Sequence, residues 1–328
     1  MNAGFWGQLR KPFFALAPMA DVTDAAFRSI IARYSRHGEL NGGPDVFYTE
    51  FVSCAGLLSE GREILSSDLR YSEAERPIVA QLFGSDPLHF YQCAQLIAEL
   101  GFDGVDINMG CPDRSVEKQG AGAALIKDPA RAQAIIRETK RGAGDLPVSV
   151  KTRLGYRENE INTWIIVLLA EQPAALIVHG RTRKEMSKVP ARWDDIARVV
   201  DIARESGTLI IGNGDVASLE DGIEKARLSG ADGVMVGRGV FGNPWFFDKG
   251  ASPDTIPLEK RLRVMLEHTR LFEEMFAGMK NFSVIKKHYR AYVSGFNGAK
   301  ELRMALMQAH NADDADRIVK NFICDIKH

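Results

Sequence analysis

Eight short apolar runs, separated by stretches of helical period, constrain this chain more than any other feature. The runs cover residues 13–17, 46–49, 78–82, 104–108, 148–151, 175–179, 209–212 and 233–236. Nearly continuous apolar and β-branched runs of this length mark strands buried on both faces, hence a parallel sheet. Helical patterns fill the gaps, at 87–100, 129–140 and 193–205 among others. Strand–helix alternation implies right-handed crossovers and an α/β fold. Eight such units in about 240 residues predict a (β/α)8 TIM barrel.

The barrel is assigned to residues 1–250. After Pro253 the strands stop: 257–277, 282–295, 299–310 and 313–327 read as helices, broken at Gly278, Gly298 and 311–314. This predicts a small all-helical C-terminal domain, residues 251–328, behind a linker at 248–257.

In such a barrel, ligands bind where the strands end, because the βα loops converge there. The runs end on Met19, Glu50, Gln81, Asn108, Lys151, His179, Asn213 and Gly237-Arg238. Any one could simply be a strand reaching water. Together they read as a ring around one ligand.

The loops after runs seven and eight, Gly212-Asn213-Gly214-Asp215 and Gly237-Arg238-Gly239, let backbone N–H groups approach an anion. Barrels commonly hold a phosphate at these two loops, and Arg238 adds a charged donor fork. A phosphate-bearing cofactor is one reading; tight turns with a surface arginine are the other. Gly237 to Gly242 also fits G-x-G-x-x-G, but no further strand follows it, so a dinucleotide fold is rejected. In the middle of the ring, Gln81, Lys151 and His179 offer an amide and cationic donors suited to a flat heteroaromatic ring. A lysine at the N1 side of a reduced flavin would stabilise its negative charge. The alternatives are a Lys151 salt bridge to Glu50 and an ordinary polar histidine. Cys111 lies between Gly110 and Pro112 on a shaped loop. An ordinary thiol is mostly protonated at neutral pH, so Cys111 could act as an acid or as a nucleophile.

Charge and cysteine usage narrow the class. The 42 Lys+Arg and 43 Asp+Glu leave a formal net charge of −1, which argues against a histone-like nucleic-acid binder. Residues 1–250 carry 29 basic and 33 acidic side chains, residues 251–328 carry 13 and 10. Within 280–303 lie Lys280, Lys286, Lys287, Arg290, Lys300 and Arg303, with Glu301 as the single acid. Lys286, Lys287 and Arg290 nearly share a helical face, interleaved with Tyr289 and Tyr292, as an RNA-binding surface would; a solvated helix face is the alternative. The four cysteines, Cys54, Cys93, Cys111 and Cys324, are widely spaced without C-x-x-C, so neither zinc nor disulfides are expected. All but Cys111 read as core filling. A reducing, cytoplasmic setting is expected. Residues 13–17 follow Arg10-Lys11 as a leader core would, but about five apolar residues fall short of the roughly 7–15 a leader needs. The run 165–170 is too short to span a bilayer. A monomer without membrane attachment is expected.

The motifs also resemble, in order, those of the tRNA-dihydrouridine synthase family. They begin with Leu16 to Ala20, Thr23-Asp24 and Phe27-Arg28, then Val79 to Gly84 and Asp106 to Pro112. Lys118, Gly120 to Gly122, Ala124-Leu125 and Val150 to Gly155 follow. The set closes with His179-Gly180-Arg181-Thr182-Arg183, Gly212 to Asp215 and Val236 to Gly239. The resemblance implies FMN-dependent reduction of uridine in tRNA to 5,6-dihydrouridine, with NADPH as reductant. By the same resemblance Pro18, Met19, Ala20, Gln81, Lys151, His179, Asn213, Gly214, Asp215, Gly237 and Arg238 match FMN-contacting positions, and Cys111 matches the catalytic acid. Hydride would pass from flavin N5 to uracil C6, and Cys111 would protonate C5. Asn108, Arg153, Arg181 and Arg183 are candidates for gripping uracil or the RNA backbone, as are Lys286, Lys287 and Arg290 on the basic stretch. The segment 184–193 departs from the family pattern, which bears on the target nucleotide. Two other readings are a small-molecule FMN barrel reductase and a non-enzymatic RNA binder.

Overall fold

The structure is a computed structural model that describes residues 3–251 and 255–325. All eight expected strands form: β1 (Phe13–Leu16), β2 (Phe47–Ser53), β3 (Ile78–Phe83), β4 (Gly104–Asn108), β5 (Val148–Arg153), β6 (Ala175–His179), β7 (Leu209–Asn213) and β8 (Gly233–Val236). Each pairs in parallel with its neighbour in sequence from β2 to β8. Two contacts close the ring: β1 pairs with β8, Phe13 opposite Gly233, and an Ala15–Val46 bridge joins β1 to the entry of β2. The result is the TIM barrel that the alternation predicts. Gly233 has a packing reason, since any Cβ there would collide with the Phe13 ring.

Successive strand residues alternate between two cores. Phe13, Ala15, Val46, Tyr48, Val79, Ala175, Ile177, Ile211 and Met235 fill the barrel interior, with Trp6 as a plug. Phe14, Leu16, Ile78, Ala80, Val105, Ile107, Val150, Val178 and Val234 face outward under the helices. Those helices are α1 (Ala25–Tyr34), α2 (Pro87–Glu99), α3 (Pro129–Ala143), α4 (Ile161–Leu169), α5 (Trp193–Ala203) and α6 (Leu219–Ser229), with single turns at Cys54–Leu57, Arg62–Leu65 and Arg114–Glu117. Local chemistry starts them. The Asp24, Asp86, Asp128 and Ser218 side chains cap the first turns, and α2 and α3 open on proline.

Four helices follow: α7 (Leu258–Phe276), α8 (Lys286–Tyr292), α9 (Ala299–Leu306) and α10 (Ala312–Asp325). They share a third core of Leu262, Met265, Phe272, Tyr289, Leu302 and Val319, into which α1 sends Ala25, Ala26 and Ile30. The expected helix 282–295 is shorter. Asn281 caps Ser283 to make a separate 3-10 turn at Phe282–Val284, and Arg303 takes the Val293 carbonyl beyond the helix end. Part of the linker 248–257 and the end of the helix expected to run to residue 327 lie outside the described residues. Cys54 and Cys93 are buried as expected, whereas Cys324 is exposed, on the side of α10 away from the core residue Val319. Among the described residues no helix is long and apolar enough to cross a membrane.

Candidate active site

Where the strands end they surround a cavity of about 560 Å³, a size typical of small-molecule and cofactor sites. Every strand end contributes to its lining, from Ala17, Pro18 and Met19 after β1 to Gly237, Arg238 and Gly239 after β8.

On β3, β4 and β5 the inward positions carry a chain of polar groups. Gln81 Nε2 donates to Asp106 Oδ2 at 2.6 Å, and Gln81 Oε1 accepts from Asn108 Nδ2 at 3.0 Å. Asn108 Oδ1 accepts from the N–H of Gly110 at 3.1 Å and of Cys111 at 2.9 Å. Ser149 Oγ donates to the other Asp106 oxygen at 2.5 Å. An ionised carboxylate can only accept, so Asp106 fixes which end of the Gln81 amide faces it. That amide fixes Asn108, and Asn108 fixes the Cys111 loop. Asp106 is fully buried. Burial pushes its carboxyl up to about 6, against the hydrogen bonds from Ser149 and Gln81.

The Cys111 side chain is half-buried in the cavity wall. Loss of water pushes its thiol above the ordinary value, so it is protonated at neutral pH. Lys151 Nζ donates to Asn213 Oδ1 at 3.2 Å. Burial, then the nearby Arg153, lowers this ammonium to about 8. Burial, then Arg153 and Lys151, holds His179 well below its usual range. His179 is therefore a neutral imidazole rather than the cationic donor expected. Its Nε2 lies 3.0 Å from Arg181 Nη1, which can only donate, so the proton sits on Nδ1. Arg153, the last residue of β5, ties the loops after β4 and β6 together, donating to the carbonyls of Gly110 at 2.7 Å, Thr182 at 3.3 Å and Met186 at 3.2 Å.

The β7–β8 side is built differently. The Asp215 carboxylate is bridged by Arg181 and, at 3.1 Å, by Arg238. The Arg181 bond, with further help from the Ala191 N–H, holds it below the usual carboxylate range. Among the described residues no acceptor meets the backbone N–H groups of Gly214, Asp215, Val216 or Gly237. Gly214 has φ +125° and a Cβ there would come within 2.7 Å of the Ala191 Cβ, so only glycine lets the backbone take this course. Unmet N–H groups beside an arginine make a cradle for an anion.

With this geometry in view, the comparisons with known proteins are decisive. A family model described as dihydrouridine synthase (Dus) matches residues 15–327. The chain belongs to the dihydrouridine synthase family. A "Probable tRNA-dihydrouridine synthase" of Staphylococcus aureus (strain MRSA252) is 40% identical over 98% of this chain and 96% of its own length. A "Probable tRNA-dihydrouridine synthase 2" of Bacillus subtilis (strain 168) is 38% identical over 98% and 97%. Among solved structures, histamine dehydrogenase from Rhizobium sp. 4-9 superposes with a TM-score of 0.51 at 12% identity, over 84% of this chain and 50% of that one. A 6-hydroxypseudooxynicotine amine oxidase from Pseudomonas geniculata N1 gives 0.50 at 12% identity, over 87% and 54%. This chain spans about half of each, and the likeness shows the fold alone.

Of the positions that resemble the family's cofactor contacts, Pro18, Met19, Gln81, Lys151, His179, Asn213, Gly214, Asp215, Gly237 and Arg238 line the cavity. Ala20 does not. Val22 and Thr23 both donate their N–H to the Met19 carbonyl, a turn that lifts Ala20 into solvent, and Ala17 lines the wall instead. Glu50 also leaves the ring. A bulge between Tyr48 and Phe51 shifts the register of β2, so Phe51 lines the cavity while Glu50 pairs with Lys280 at 2.7 Å. The alternative Lys151–Glu50 bridge is therefore absent. Asn108, Arg153 and Arg181 line the cavity, whereas Arg183 lies outside its lining and donates to Glu117 at 2.9 Å.

The C-terminal patch is less free than its sequence implies. Lys280 is held by Glu50 and Asp68 at 2.7 Å each, Lys286 Nζ donates to the Met307 carbonyl at 2.8 Å, and Lys287 lies 3.4 Å from Asp21. Arg290 is exposed and unpaired among the described residues, while Tyr289 and Tyr292 are buried in the helical core rather than interleaved on the surface. Asp106 and Ser149, absent from the ring read from the sequence, underlie it. The signal was the two-residue spacing of Asp106 and Asn108, and of Ser149, Lys151 and Arg153, which puts them on one face of their strands.

Proposed function

We propose that this chain reduces the C5=C6 bond of uridines in tRNA to 5,6-dihydrouridine, using bound FMN and NADPH, with residues 1–250 catalytic and 251–328 helping to hold the RNA. The observation that carries the reading is a thiol, Cys111, sharing one cavity with Lys151 and with backbone N–H groups that suit an anion. Relatives named as probable tRNA-dihydrouridine synthases support the same substrate.

The residues present fit FMN. The free N–H groups of Gly214, Asp215, Val216 and Gly237, with Arg238, suit its phosphate. The Asp215 carboxylate, taken by two arginines, serves to hold them in place. Lys151, half-buried and without an anionic partner in contact among the described residues, suits the N1 edge, where reduction places negative charge. His179 and the Gln81 amide supply neutral hydrogen-bonding groups. When bound, FMN supplies hydride to uracil C6 and NADPH renews it. Cys111 delivers its proton to C5 and regains one from water. Asn108 and Arg153 hold the Cys111 loop through its backbone, so the thiol needs no rearrangement to act. A stacked base cannot enter such a cavity, so the uridine is turned out of the RNA.

Cys111→Ala should keep the yellow cofactor and lose dihydrouridine formation by about 10²–10⁴-fold, the scale of a positioned acid. Turnover near wild type would remove Cys111 from that role. A purified protein that cannot be loaded with FMN would overturn the whole reading.

A further inference from the structure

The sequence places its basic excess at the C-terminal end, yet those cations are largely engaged within the protein. Arg290 and Lys300 stay exposed and unpaired there among the described residues, but a larger group of free cations lies elsewhere. Arg114, Lys118, Lys127, Arg157, Lys184 and Lys188 are all exposed, and none has an ion-pair partner among the described residues. They belong to the loops that follow β4, β5 and β6.

These loops are stitched into one surface around Tyr156. Lys127 Nζ lies 4.5 Å from the centre of its ring, and the Arg183 guanidinium 5.5 Å. The Lys184 N–H donates to the Tyr156 carbonyl at 2.9 Å, and Arg183 Nη2 donates to the Pro112 carbonyl at 3.4 Å, beside Cys111. The surface therefore adjoins the mouth of the cavity. Its acids are mostly occupied: Glu117 with Arg183, Asp113 with Ser115, Glu185 with Arg192, Asp128 with Arg131 and Glu160 with the Tyr156 N–H. Glu158 is the exposed carboxylate left over.

We propose that this rim is a second RNA-phosphate surface, which holds the strand running past the everted nucleotide on the side away from the helical domain. It rests on the tRNA reading above. Unpaired cations release counterions from a phosphate backbone without first breaking protein salt bridges. Cations already paired, such as Lys280, would have to exchange one partner for another.

The test is the salt dependence of binding to unmodified tRNA. Replacing Lys118, Lys127, Arg157 and Lys184 together by glutamine should flatten the slope of log affinity against log salt by about 2–3 and raise Kd at about 0.1 M salt more than tenfold. A companion variant with Lys118→Arg, Lys127→Arg, Lys184→Arg and Arg157→Lys should retain the wild-type slope, and both should melt at the wild-type temperature. A wild-type slope in the glutamine variant overturns the rim, as does a wild type that does not bind tRNA. Dihydrouridine formation by the wild type is scored separately. If it occurs while the slope is unmoved, the rim falls and the reaction stands. If it is absent while the slope flattens, the rim stands and the reaction falls.

Discussion

On the β3–β5 side of the cavity, Gln81, Asp106, Asn108 and Ser149 satisfy one another in an unbroken chain that ends on the backbone of Cys111. On the β7–β8 side, several backbone N–H groups have no acceptor among the described residues, and two arginines converge on one carboxylate. Under the proposed function, the difference separates two tasks. Proton delivery needs a group already in place before substrate arrives, so the protein completes that side itself. Anion binding needs donors kept unsatisfied, so that side is completed by its ligand.

Breaking the completed side should have the largest effect. Asp106→Ala leaves Gln81 Nε2 and Ser149 Oγ without partners and frees the Cys111 loop; kcat should fall by about 10²-fold, the scale of a small misplacement at a reacting centre. Asp106→Asn still offers Gln81 an acceptor and should recover most of that loss. Equal kcat in Asp106→Ala and wild type would show that the chain does not position the thiol.

The ligand-completed side should respond in binding and not in folding. Lys151→Met should weaken FMN by about 10–100-fold, the value of a hydrogen bond to a charged group, while the apoprotein stays as stable or becomes more so. The sign follows from its lowered ammonium, about 8 against 10.5. Between those values the unfolded chain binds more protons, so wild-type apoprotein stability rises with pH across the window. In Lys151→Met that rise should be missing; its persistence would assign it to another group. A smaller effect is expected of Gly214→Ala, where a strained backbone costs about 1–3 kcal/mol. FMN affinity should drop and the Asp106 chain should be untouched, which retained alkylation kinetics of Cys111 would verify.

Much of this was legible in the sequence. Strands buried on both faces leave a continuous apolar run, and β4, β6 and β8 match their expected bounds residue for residue. The ring of strand ends was readable for the same reason, except at β2. There a bulge reverses which residue faces inward, and nothing in a run of Phe47 to Ser53 announces it. His179 lines the cavity, but burial first, and then the cations of other strands, keep its imidazole neutral, which a strand-end position alone does not reveal. Counting charge by segment failed for a related reason: Lys280 is basic in the tally but spends its charge on Glu50 and Asp68.

Helix α1 gives Phe27, Ile31 and Ala32 to the layer outside the barrel and Ala25, Ala26 and Ile30 to the C-terminal helices. A single rod thus serves as a shared wall between both halves. Cutting the chain near residue 250 would bare one flank of that rod to water, so a truncated barrel should aggregate, and heating should melt both halves in one transition. The helical half is no swinging arm: the shared wall sets it at one fixed angle to the mouth of the barrel.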